Sequence, residues 1–280
     1  MVSNGVLLSF FTLFLAINCF AQDVSWSQKS TFWNDLKTKV RARSSHEFMS
    51  PSAASPSVPA SDGADLSPSN LYGFFWLDYE VFKNWRILYH QRELLEFSGA
   101  PTSLGIGGRF FDPRFGIRRS QVFDIPGLVT NYDWFIQPGI TADAASSGKQ
   151  FETGIRTNTN YTVPKSRWSV GMISELVAGF YDRGGMGSDF YGFFSPWVNY
   201  NLSATVSTQH WILIPFQHRS GDSWSQFSWD MPTNGPVIQN GIGVDVTDSI
   251  WISGLVNNYL NSEPTLKNTW LSIWVSVSFI

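Results

Sequence analysis

Between residues 71 and 280 apolar and polar positions alternate with a period of two. The clearest stretch is 269–280, where Leu271, Ile273, Val275, Val277 and Phe279 alternate with Trp270, Ser272, Trp274, Ser276 and Ser278. That period sends successive side chains to opposite faces of a strand. In 71–82, Leu71, Phe75, Leu77, Tyr79 and Val81 oppose Trp76, Asp78 and Glu80. In 151–163, Ile155, Tyr161 and Val163 oppose Glu152, Arg156, Asn158 and Asn160. In 167–181, Trp168, Val170, Met172, Leu176 and Phe180 oppose Arg167, Ser169, Gly171 and Glu175. Further strands are predicted at 86–97, 102–112, 115–125, 131–142, 189–200, 205–217, 237–246 and 249–261, twelve in all. Asp112-Pro113-Arg114 is either a turn between two strands or a break within one, so ten is the alternative count.

A soluble sandwich also alternates, with its apolar face inward. Two features decide against it. Many segments run to 10–15 residues, beyond the roughly five or six usual in globular sheets. Bulky aromatics gather near segment ends, at Trp85, Tyr132, Trp168, Tyr200, Trp251 and Trp270, as two membrane interfaces require. Short and long connections alternate along the chain. The expected fold is therefore all-β, an antiparallel up-and-down transmembrane β-barrel. An even strand number returns the chain to its starting side.

Charge settles what faces the axis. An arginine turned to lipid costs about 2–4 kcal/mol at the bilayer midplane. Asp78, Glu80, Arg86, His90, Arg92, Arg118, Glu152, Arg156 and Glu175 are accordingly expected to line the lumen. Arg109, Arg114 and Arg119 carry the same expectation. Ten or twelve strands enclose a narrow interior, since wide aqueous pores need about 16–18. The result is a narrow charge-lined channel for small solutes, or a structural barrel filled by its own ion pairs.

The last strand, 269–280, with one apolar face and a near-terminal aromatic, resembles the assembly signal of Gram-negative outer-membrane β-barrels. That resemblance implies residence in the outer membrane, contact with its lipid, and recognition of 269–280 by the barrel-assembly machinery. A second resemblance lies in His218-Arg219-Ser220. It is similar to the His-x-Ser arrangement of outer-membrane phospholipase A and the lipid A deacylases. It implies an alternative activity, acyl-ester hydrolysis, with His218 as base and Ser220 as nucleophile. Asp222, Asp230 or Asn234 would orient the His. A third possibility is a surface-binding protein acting through loop 219–236.

The first 70 residues differ. Val6–Ala21 is an apolar run ending in small residues, which predicts a signal peptide over 1–21. Residues 22–49 are expected to form a periplasmic extension. Within it, Phe32, Trp33, Leu36 and Val40 share one face of a basic amphipathic helix over Ser30–Arg43. The Ser/Pro/Ala-rich stretch 50–70 is predicted to be a linker, and 71–280 the barrel.

Composition narrows the picture further. Charged residues are 15% and aromatics 16%, and the formal net charge is −3. The charge excludes a dedicated nucleic-acid binder, and the aromatic content excludes disorder throughout. The one Cys lies inside the signal run, which excludes a disulfide scaffold. His46, His90, His210 and His218 are scattered, and CxxC, HExxH, GxSxG and P-loop motifs are absent. Neither a metal nor a cofactor is expected.

Overall fold

Thirteen antiparallel strands form one sheet that closes on itself. They are β1 (Val40–Met49), β2 (Ser69–Phe82), β3 (Trp85–Ser98), β4 (Gly105–Phe110), β5 (Arg114–Arg119), β6 (Leu128–Pro138), β7 (Lys149–Thr162), β8 (Trp168–Tyr181), β9 (Ser188–Asn201), β10 (Val206–Arg219), β11 (Val237–Thr247), β12 (Ile250–Tyr259) and β13 (Thr269–Ser278). A short helix, α1 (Ala142–Ser147), lies between β6 and β7. This computed structural model describes residues 38–50, 69–98, 105–182, 187–219, 236–260, 265 and 269–279. The signal run and the loop 220–235 lie outside the described residues.

Each strand pairs with its sequence neighbours, and β1 pairs with β13 to close the ring. β4 and β5 share one place in it. Both pair with β3, β4 along its upper part and β5 along its lower part. The barrel is thus a twelve-stranded up-and-down meander.

The number twelve agrees with the sequence pattern, but its composition does not. Residues 102–112 and 115–125 are not two strands. Phe110 pairs with Glu93 and Arg114 with His90, so Phe111, Asp112 and Pro113 face only Arg92 and Gln91. This is a bulge inside one strand, placed where Pro113 has no N–H to donate. The Gln91 side chain fills the gap by donating to the Phe111 carbonyl at 2.7 Å.

The missing strand is β1, in the segment expected to be an N-terminal extension. Of the expected helix Ser30–Arg43, Val40–Arg43 belong to this strand, Thr38 and Lys39 are helical, and residues 30–37 lie outside the described residues. Residues 50–68 consequently connect β1 to β2 instead of tethering an extension, and Ser69 and Asn70 already belong to β2. The barrel starts at Val40, not at 71. The cause is non-local: ladders to β2 and β13 on both sides outweigh a weak local helical pattern.

The register fixes which face is which. Arg114 on β5 meets Glu175 on β8 at 2.8 Å, across the width of β6 and β7. Side chains converge over that distance only on the concave side of a closed sheet. The opposite face is apolar and open: Ile87, Trp134, Ile155, Ile242 and Ile273 are each at least 50% exposed. Exposed apolar surface around the whole waist is the pattern of a wall in hydrocarbon. At the end with mostly short turns, Trp85, Tyr132, Trp168 and Tyr200 face outward, with Trp168 and Tyr200 rings 4.7 Å apart. Trp251 and Trp270, expected in the same belts, instead pair with Ser276 and Asn257 on the inner face.

Candidate functional site in the barrel interior

Strand alternation delivers one residue in two to the lumen, and the register stacks them in rows. Arg43, Trp76, His90 and Arg114 form one such row across β1, β2, β3 and β5. All nine residues expected to line the lumen share this inner face: Asp78, Glu80, Arg86, His90, Arg92, Arg118, Glu152, Arg156 and Glu175. Arg114 joins them. Arg119 does not. It lies on the outer face at the short-turn end, over the Trp85 ring at 5.3 Å, with Nη1 donating to the Lys83 carbonyl. There its head reaches the interface while its stem stays against the wall. Arg109 sits at the loop end, 3.9 Å from Asp143.

Most inner charges are paired along the wall. Arg118 grips Asp133 with Nε and Nη2 at 2.6 and 2.8 Å and gives Nη1 to Asp78 at 2.9 Å, joining β2, β5 and β6. Such a forked contact suits the planar guanidinium. Arg114 holds Glu175 through Nη2 and gives Nε to Gln137 at 2.7 Å. Arg156 approaches the other Glu175 oxygen at 3.7 Å. Arg86 pairs with Glu80 near the short turn. Asp133 and Gln137 had no role in the sequence pattern. Both are polar residues of inward parity on β6, which is the signal that marks them.

Most of the inner charges lie on β1–β8. From β9 through β13 the inner positions are uncharged along most of their length: Phe193, Ser195, Trp197, Gln209, Trp211, Gln239, Ser253, Asn257, Ser272 and Trp274. Ser253 donates to Gln209 at 2.9 Å, and Asn257 to Ser272 at 3.1 Å. Close approach is built in at Gly171, where the Trp197 indole lies against the glycine and leaves no room for a Cβ. No ion pair among the described residues crosses from β1–β8 to β10–β13.

At the loop end the bulge residue Asp112 organises the mouth. Its Oδ1 accepts from the backbone N–H groups of Ile140 and Thr141 at 2.9 and 2.8 Å, and its Oδ2 pairs with Lys149 at 2.6 Å. Thr141 caps α1, and Gly148 ends it with φ 68°. Beneath α1 lies a cavity of about 270 Å³ bordered by Arg92, Phe111, Gln137, Glu152 and Tyr191.

His218 sits at the loop end of β10, on the outward row with Ile212, Ile214 and Phe216. It is buried, 2% exposed, with Nδ1 2.6 Å from Asp189 Oδ1. The group that positions the ring is therefore Asp189 on β9. The three loop residues expected there, and Ser220 itself, lie outside the described residues. Among the described residues no three His, Cys, Asp or Glu gather as a metal site.

A closed antiparallel barrel with an apolar exterior and a polar interior defines the chain as a transmembrane β-barrel of the outer-membrane type. A solved structure carries the same fold. An outer membrane channel from Pseudomonas putida F1 superposes with a TM-score of 0.56 at 8% identity, over 86% of this chain and 95% of that one. The NanC porin gives 0.49 at 10% identity, over 85% and 99%. At these identities the likeness is one of fold. No protein-family model and no curated protein sequence matches the chain.

Proposed function

We propose that this protein is a narrow outer-membrane channel for small charged or polar solutes, with its N-terminus in the periplasm. One observation carries the proposal. Arg156 stands at the eighth of the fourteen residues of β7, on the inner face, and its side chain keeps 30% of its surface accessible. Accessible side-chain surface near mid-height means open space on the inner face, which a fully filled barrel would lack. The ion pairs support the same reading, because none among the described residues joins β1–β8 to the facing strands β10–β13.

Signal peptide 1–21 would direct export. The apolar outer face of β13, with Leu271, Ile273, Val275 and Val277, would be presented to the barrel-assembly machinery. Surrounding outer-membrane lipid would cover the belt of exposed isoleucines. Planar-bilayer recording of the purified, refolded full chain tests the channel. Discrete current steps in KCl are expected, and silent bilayers containing heat-modifiable, folded protein refute it.

A second reading is acyl-ester hydrolysis at the outer rim. The contact between His218 Nδ1 and Asp189 favours it, because a carboxylate there holds an imidazole in the tautomer a general base requires. Equal fatty-acid release from phospholipid by wild type and Ser220→Ala would remove this reading. A third, partner binding through loop 219–236, requires that deleting 222–234 abolish binding and leave the barrel folded.

A further inference from the structure

Among the described residues Arg43 and Arg92, both on the inner face, enter no ion pair, whereas Arg86, Arg114, Arg118 and Arg156 each hold a carboxylate. Each of the two lies against an aromatic ring instead. Arg43 Cζ is 4.7 Å from the Trp76 ring centre, and Arg92 Cζ is 5.1 Å from that of Phe111. Arg43 is exposed to the lumen. Arg92 Nε is buried with no acceptor in reach. A buried polar atom left without a partner in a native site calls for an explanation. A ligand that supplies the acceptor is the simplest one.

Between the two arginines stands a sheaf of rings. Phe74 is the register partner of Arg92, and Trp76 that of Arg43. The Phe74 ring runs nearly parallel to Tyr72, Trp76, His90 and Trp274, tilted by 22°, 13°, 22° and 8° with centroids 5.6–6.5 Å away. Trp274 reaches Phe74 across β1 because β1 presents only Ser45 in the Phe74 row. Arg92 also borders the mouth cavity of about 270 Å³, together with Phe110, Phe111, Tyr181 and Tyr191. The other cation there, Lys149, is already committed to Asp112 and Glu152.

We propose that the lumen binds small organic anions built on a flat ring, aromatic carboxylates being the simplest, at two stations: Arg92 in the mouth cavity and Arg43 beside Trp76. The proposal rests on the channel reading and adds a ligand class to it. A carboxylate takes the two parallel N–H groups of a guanidinium fork, and the flat ring lies along the aromatic faces that flank each arginine. A neutral ring compound gains the second contact without the first. An ammonium compound gains the ring contact but is opposed at each station by the guanidinium that holds no carboxylate, Arg92 or Arg43.

Calorimetric titration of benzoate into the detergent-folded full chain tests this, with cyclohexanecarboxylate, benzyl alcohol and benzylammonium as comparisons. Saturable benzoate binding is expected, weaker for the other three and weakest for benzylammonium. Arg92→Gln and Arg43→Gln should each lower benzoate affinity about tenfold, the scale of one lost charge-assisted hydrogen bond. Arg43 is exposed, so its variant keeps the fold even if the Arg92 variant does not. No benzoate binding, equal binding of cyclohexanecarboxylate, or unchanged affinity in Arg43→Gln overturns the proposal. Conductance in KCl, recorded on the same preparations, reports on the channel separately. Current steps without benzoate binding refute the ligand class alone, and silent bilayers refute the channel.

Discussion

Arg114 and Glu175 lie three strands apart in the barrel wall, yet Nη2 and Oε1 meet at 2.8 Å with both side chains buried. Glu175 also faces Arg156. A carboxylate so placed has no route to bulk water if its main partner is removed. Arg114→Ala is therefore expected to destabilise the folded barrel by about 3–5 kcal/mol, the cost of an orphaned buried charge. Replacing both partners by apolar residues of similar size, Arg114→Met with Glu175→Leu, should recover much of that loss. Guanidinium titrations of the refolded proteins measure both. Similar stabilities for the single and double variants would refute the coupling.

Orientation of the wall makes a second, independent prediction. Ile155 faces outward and Asn158 inward on the same strand, β7. Ile155→Arg should cost about 2–4 kcal/mol in bilayer-folded protein, as expected for arginine on a lipid face near mid-height. Asn158→Arg should cost well under half of that. Equal costs at the two positions would mean that the sheet does not separate lipid from lumen.

The mouth should respond to acid. As a carboxylate Asp112 accepts from the backbone N–H groups of Ile140 and Thr141 and pairs with Lys149. Protonation removes the charge that holds these contacts, so the anchorage of α1 is intact at neutral pH and fails in strongly acidic solution. Hydrogen exchange at Ile140 and Thr141 should accelerate there. Asp112→Asn should exchange faster already at neutral pH and show little further change on acidification.

Gly171 makes the fourth prediction. A Cβ there would strike the Trp197 indole and the Thr159 carbonyl oxygen. Gly171→Val should displace Trp197 from the wall into the lumen. A shifted tryptophan emission spectrum and lower KCl conductance are expected, and an unchanged spectrum would refute the close approach.

Much of this was legible from residue types and spacing. The alternation in 151–163 and 167–181 assigned Ile155 and Leu176 to one face and Arg156 and Glu175 to the other, as the register has them. What escaped was whatever depended on strands distant in sequence. β1 reads locally as polar, with Arg41, Arg43, Ser45 and Glu47 inward and small residues such as Ala42 and Ser44 outward. Its apolar signal is too thin to stand out. Pairing with β2 on one side and with β13, more than 200 residues away, on the other makes it a strand. Asp189 was likewise invisible as the partner of His218, 29 residues later, because a bulge in β10 at His218/Arg219 disturbs the parity that would have linked them.

By itself the sequence determined that strands form and that charged side chains avoid hydrocarbon, because a period of two and the cost of bare charge in lipid are local properties; the twelve places of the ring needed the β1 ladders and the shared place of β4 and β5. The tertiary structure alone decided that charge collects along β1–β8 while β9–β13 present mainly rings, amides and hydroxyls. It also decided that Arg43 and Arg92 are left without carboxylates. Those outcomes depend on register, which brings residues from separate strands within a few ångströms of one another.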